Sequence, residues 1–281
     1  MAGKIKSFFR LWALYARMDL NWVLQDTGST LLVMLSELVT NVAAVAGVLL
    51  LAVRFGGAGG LTSDEVLLML GFFQLANGFC CMMFGGYNIM NISRRVGRGQ
   101  LDHMLIQPRP LPVQMLTEGF LPFSGSSGLL LGIALTVIAC VRLRLPATPA
   151  FFLQLALYIL LHTALIMAQS YLFGALAFYK PVACEEISSV VIDLNVQLGK
   201  FPLFGIPKAL LIMLCTALPV GLLAYLPALG LLHKVGGAAA YALPPAVAIA
   251  FVTAAAAAFR GGLKHYMKNS CTRYRDMGHR S

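Results

Sequence analysis

Six apolar stretches, each close to the length that crosses a bilayer, constrain this chain more than any single motif. They run from about Leu31 to Val53, Val66 to Ile92, Phe120 to Val141, Phe151 to Phe178, Leu203 to Tyr225 and Tyr241 to Phe259. Inside hydrocarbon every backbone N–H and C=O must be paired within the chain, so segments of this length are expected to be helices. The composition agrees: 59% of the 281 residues are hydrophobic and only 11% are charged, against about 25% in a typical soluble domain. The expected fold is all-α, a polytopic membrane protein with six transmembrane helices, an N-terminal amphipathic interfacial helix and a short cytoplasmic helix between the second and third spans.

The net charge of +10 is distributed as a membrane protein distributes it. Seventeen of the 21 basic residues fall before the first stretch, between the second and third, between the fourth and fifth (counting Lys208 at its edge), or after the sixth. The opposite face has only Arg54, Arg142, Arg144 and Lys234. That asymmetry predicts cytoplasmic termini, because Lys and Arg in short loops stay on the cytoplasmic side. No basic run is interleaved with aromatics on a polar fold, so nucleic acid is not an expected partner. Cys80, Cys81, Cys140 and Cys215 sit in apolar runs and read as small buried hydrophobes, not as a metal site or disulfide framework.

The segments divide into an amphipathic helix over 1–23, a membrane domain over 24–259 and a basic cytoplasmic tail over 260–281. In the first, Phe8, Phe9, Trp12, Tyr15 and Met18 alternate with Lys4, Lys6, Arg10 and Arg17, which suits a helix lying on the membrane surface and its lipids. Gly71, Gly78 and Gly85 recur every seven residues on the second stretch, and Gly125, Gly128 and Gly132 mark a small-residue face on the third. Such faces let helix backbones approach closely.

The longest polar interruption, Ser93–Pro112, reads SRRVGRGQLDHMLIQPRPLP. Gln100 to Ile106 suits two helical turns, with Asp102 near the N-terminus, where a negative charge is favoured. Leu101, Met104 and Leu105 form a small apolar face, and Gln107 precedes a proline and leaves the helix. So short a helix is unstable alone and needs packing, against its own spans or a partner. From spacing alone, a solvated loop remains open. No G-x-x-x-x-G-K-[ST] occurs; Gly199-Lys200 is followed by Phe201, so a nucleotide site is not expected in this chain.

The run GRGQLDHMLIQPRPLPVQML resembles the G-x-L-D-x-x-L-x-x-P stretch of type-2 ABC exporter permeases, and more narrowly the bacterial proteins described as uncharacterised ABC-type transport system permease components. The proline-punctuated run Phe201–Leu232, with Pro202, Pro207, Pro219 and Pro227, is similar to the same family. The resemblance implies that Gly99, Leu101, Asp102, Leu105 and Pro108 belong to a coupling helix seated in a cleft of a separate ATP-binding subunit. It implies that the N-terminal helix is a connecting helix, and that ATP and Mg are bound by the partner and no cofactor by this chain. It implies pairing with a second permease, the same or related, in the bacterial inner membrane. Replacing Leu101 and Leu105 by Asp is then expected to uncouple transport while leaving insertion intact.

Polar residues within spans are candidates for a transport path. Glu37, Asn77, Asn88, His162 and Gln169 are such residues, with Gln74 and Asn91 close by. Helix–helix hydrogen bonding explains the same residues more plainly. The expected function is the permease subunit of an ATP-driven exporter. The alternative, an ion-driven secondary transporter, calls for paired intramembrane charges and repeat symmetry. Glu37 is the only acid well inside a stretch, and the halves show no repeat.

Overall fold

The computed structural model describes residues 2–268 apart from 59 and 204. Among the described residues there is no strand, only an isolated bridge between Ala58 and Leu61. The helices are α1 (Ala2–Gln25), α2 (Thr27–Arg54), α3 (Ser63–Phe84), α4 (Ile92–Gly97), α5 (Gln100–Leu105), α6 (Leu111–Thr117), α7 (Ser127–Arg142), α8 (Pro149–Gly174), α9 (Ile187–Leu198), α10 (Lys208–Thr216), α11 (Tyr225–Leu231), α12 (Ala238–Tyr241) and α13 (Leu243–Lys268). Short 3-10 turns follow α3, α8 and α10.

Local chemistry sets the helix starts. Asp26 accepts the Ser29 N–H ahead of α2, and Thr148 accepts the Phe151 N–H ahead of α8. Thr62 and Glu65 form a reciprocal capping box on α3, whose Glu65 also receives Lys234 Nζ at 2.6 Å. α3 is the central helix, with 72% of its most apolar window buried, whereas 11% of the corresponding window of α2 is covered by the rest of the chain. The two glycine faces meet: a Cβ at Gly71 would lie 2.8 Å from the Thr136 backbone nitrogen, and one at Gly78 or Gly132 would collide with the backbone of Leu129 or Leu75. α3 and α7 therefore touch backbone to backbone.

Four helical segments are long and apolar enough to cross a membrane: α2, α3, α8 with its 3-10 extension to Phe178, and α13. α10 and the run Pro219–Leu231 make a fifth if the pair, bent by 69°, is one span. α7, at 16 residues, is shorter.

Several expected boundaries move, each for a local reason. The second stretch stops being helical at Phe84, not Ile92, because Tyr87 and Asn88 take left-handed φ of 51° and 59°. The third begins at Ser127, not Phe120, because the Phe123 and Ser124 N–H groups are taken by Asp19 at 2.8 and 3.2 Å. The fifth breaks at Pro219, which has no N–H to continue a helix. The sixth accepts Pro244 and Pro245 in its first turn, as expected, but runs past Phe259 to Lys268. The first nine residues assigned to the basic tail are thus helical, and the remainder of that tail lies outside the described residues.

Candidate functional site

The stretch Ser93–Pro112 folds as α4, a left-handed turn at Gly99, and α5. Gly99 has φ of +69° with open space where a Cβ would stand, so the backbone, not crowding, demands glycine. Leu101 and Met104 are buried among Ile89, Ile92, Val96, Phe178, Phe259 and Tyr266. Asp102, in the first turn of α5, accepts a hydrogen bond from Tyr266 Oη of α13 at 3.1 Å. The other face is open: Leu105 is 37% exposed, Ile106 80% exposed, and Pro108 is exposed as well. Gln114 Nε2 donates to the carbonyls of Met104 and Arg109 at 2.9 and 2.8 Å, closing the C-terminal end of α5 onto α6. Packing has split the expected apolar face: Leu101 and Met104 anchor the helix, and Leu105 and Ile106 form its tip.

The arginines just before α5 are paired within the chain. Arg94 Nε donates to both carboxylate oxygens of Glu186 at 2.9 and 2.7 Å, and Arg98 Nε donates to Glu185 at 2.7 Å. The Arg94 guanidinium and the Ser189 hydroxyl lower the Glu186 carboxyl to about 2. Beneath these pairs, Ser93 Oγ donates to the Glu185 carbonyl at 2.6 Å and accepts the Ser188 N–H at 3.0 Å. Arg95 points inward to a buried ion pair with Glu118 at 2.5 Å, and its Nη1 holds the carbonyl of left-handed Tyr87 at 2.8 Å. Sequence reading missed Glu118, Glu185, Glu186 and Tyr266. A usable signal existed for two of them: Arg94 and Arg98 stand one helical turn apart, and Glu185-Glu186 is an adjacent acidic pair in the next polar connection.

The polar candidates separate. Glu37 and Asn77 line one open cleft of about 850 Å³, bounded by the end of α1, the first half of α2, the end of α3 and the start of α7. Glu37 accepts a hydrogen bond from Ser127 Oγ at 3.0 Å. Gln74 and Asn91 line the same cleft. Asn88, His162 and Gln169 are elsewhere. Asn88 donates from Nδ2 to Gln100 at 3.1 Å, tying the left-handed turn to α5. His162 is fully buried, with Nδ1 2.9 Å from the Leu223 carbonyl and its ring edge-on to Phe73. Gln169 accepts from Asn195 Nδ2 at 3.1 Å, joining α8 to α9. These three residues bind helix to helix.

Comparison with the curated proteins and with the solved structures finds no match. A family model does match, over residues 38–270, and its description is ABC-2 family transporter protein. The matched range takes in the cleft wall formed by α3 and α7, the whole α4–α6 region and all of α13. Those residues make this chain a member of the ABC-2 transporter family, the membrane permease component of an ABC transporter.

Proposed function

We propose that this chain is the permease of an ATP-driven exporter whose energy comes from a separate ATP-binding subunit. That subunit would bind ATP and Mg, and α5 would sit in a cleft on its surface. The observation that carries this reading is the split helix: Leu101 and Met104 fix α5 to the permease while Leu105, Ile106 and Pro108 stand clear. A helix tip rigidly backed and apolar at its end suits an element that receives a push from a partner. Asp102 and Gly99 then serve the shape of α5, and Leu105 with its neighbour Ile106 makes the contact.

The permease would work beside a second permease, the same or a related chain, and alternate access to a path bordered by Glu37 and Asn77. The charge asymmetry and the helix order support six crossings in a bacterial inner membrane, by α2, α3, α7, α8, the bent α10–α11 pair and α13. Both termini are then cytoplasmic and α1 lies on the lipid surface. In this arrangement α4–α6 and α9 share the cytoplasmic side.

The test uses the complex purified from native membranes with its ATP-binding subunit. Leu105→Asp with Ile106→Asp is expected to abolish co-purification and permease-stimulated ATPase activity while the permease still reaches the membrane. Unchanged co-purification and unchanged stimulation overturn the assignment. An ion-driven transporter would show no ATPase in the complex at all.

A further inference from the structure

The cleft beside Glu37 has a chemical bias. Its charged lining residues are both acids, Asp19 and Glu37, and no Lys or Arg lines it. Asp19 is already committed: it accepts from Phe123 N, from Ser124 N and from Ser124 Oγ at 2.6 Å. Glu37 is different. Ser127 Oγ is the donor it meets, and among the described residues no cation pairs with it. A carboxylate is acceptor-only, and one held at membrane depth is costly without a positive counterpart.

A second observation points to a ligand. The hydroxyl of Thr30, a residue only 1% exposed, borders the cleft without a hydrogen-bond partner. The Oδ1 atoms of Asn77 and Asn91, which also line the cleft, are likewise unpartnered and buried. Buried polar atoms are normally satisfied, so the cleft has spare acceptor capacity and calls for a guest that brings donors. Trp22, Tyr15 and Tyr87 complete the lining with aromatic rings, which attract cations to their faces. The volume fits a molecule of drug or single-chain lipid size. Leu31, Leu32 and Leu35 on the barely covered α2 beside it are 63%, 69% and 56% exposed, leaving an apolar flank for a hydrocarbon tail.

Resting on the reading that this cleft borders the transport path, we propose that it selects amphiphiles with a positively charged amine head, with Glu37 as the counter-ion. The ammonium sits between Glu37 and the aromatic rings and donates to the unpartnered oxygens, and the tail lies along α2. The chemistry is common to a free lipophilic amine and to the headgroup of an aminolipid.

Binding is read from Trp22. The protein has two tryptophans, and Trp12 is stacked on Phe120 away from the cleft lining, so Trp12→Phe leaves a single reporter. The full chain in nonionic maltoside micelles is titrated with dodecylamine, dodecanol and dodecyl sulfate. Dodecylamine is expected to shift Trp22 emission saturably, about tenfold more tightly than the neutral or anionic probe, as expected for one charge-assisted contact. Glu37→Gln removes that preference, and Asn77→Asp, which adds a second carboxylate, strengthens it. Lysophosphatidylethanolamine that displaces dodecylamine assigns the headgroup to an aminolipid; failure to displace assigns it to a free amine. Equal binding of all three probes, unaltered by Glu37→Gln, overturns the selectivity alone. Absence of any Trp22 response to all three overturns the cleft as a substrate site, and with it the path on which the proposal rests.

Discussion

Leu101 and Ile106 are five positions apart, both aliphatic, and have opposite fates. Leu101 is fully buried and Ile106 is 80% exposed. Truncating a buried leucine removes transfer energy and leaves a cavity, typically costing about 2–5 kcal/mol, whereas an exposed substitution stays within about 0.5 kcal/mol. Leu101→Ala is therefore expected to lower the melting temperature of the purified chain clearly and Ile106→Ala hardly at all, with the opposite order for ATPase stimulation. Equal melting temperatures would show that Leu101 does not anchor α5. Glu118 is the harsher case: Glu118→Gln leaves Arg95 buried beneath Tyr87 without its counter-charge, a loss of about 3–5 kcal/mol in comparable buried pairs. The helical spacing of Leu101, Met104 and Leu105 was legible in the sequence. Which of the three points inward was not, because that depends on α8 and α13, more than seventy and one hundred and fifty residues away, closing over one side.

At the level of elements, Arg94 in α4 and Arg98 just after it join the segment after α3 to the segment after α8. The sign of the pH dependence follows from the Glu186 carboxyl, held near 2 against an ordinary 4.5. A carboxyl lowered on folding contributes stability that is complete above its unfolded value and is lost as pH falls toward its folded one. The Arg94–Glu186 link should thus be constant through neutral and mildly acidic pH and weaken only between about 4.5 and 2. Hydrogen exchange of α4 and α9 amides across that range checks it; a change already near neutral pH would contradict the assignment. The small-residue faces on α3 and α7 were readable from glycine spacing, since only a lost side chain permits such contact. The helix ends were not. Asp19 displaces the start of α7 from 104 residues away, and no local pattern announces that.

For the whole molecule, hydropathy identified the class and charge asymmetry the proposed orientation, since both are sums over many residues and tolerate local error. Span number is less robust: α7 has 16 residues, about 24 Å at 1.5 Å per residue, and the Pro219 bend divides another candidate. If the proposed six crossings hold, reporters fused at the N-terminus and after Lys268 both read cytoplasmic, and a reporter between α7 and α8 reads external. Opposite sides for the two termini would require an odd number of crossings. Among the path candidates, Glu37 and Asn77 were recognisable as polar residues in apolar surroundings, but so were His162 and Gln169. Only packing distinguishes a polar group that borders an open cleft from one enclosed between helices, as His162 and Gln169 are.

One helix ties these levels together. α13 is continuous for 26 residues, about 39 Å, with its prolines confined to the first turn. Near its far end Tyr266 touches Asp102, and Gly262 sits so close to Phe178 that any side chain there would collide with the ring. Mechanically this is a long strut, unbroken by proline beyond its first turn. In the proposed arrangement a load applied at the tip of α5 would reach the opposite membrane surface as displacement of a stiff rod, not as bending dissipated along a flexible connection.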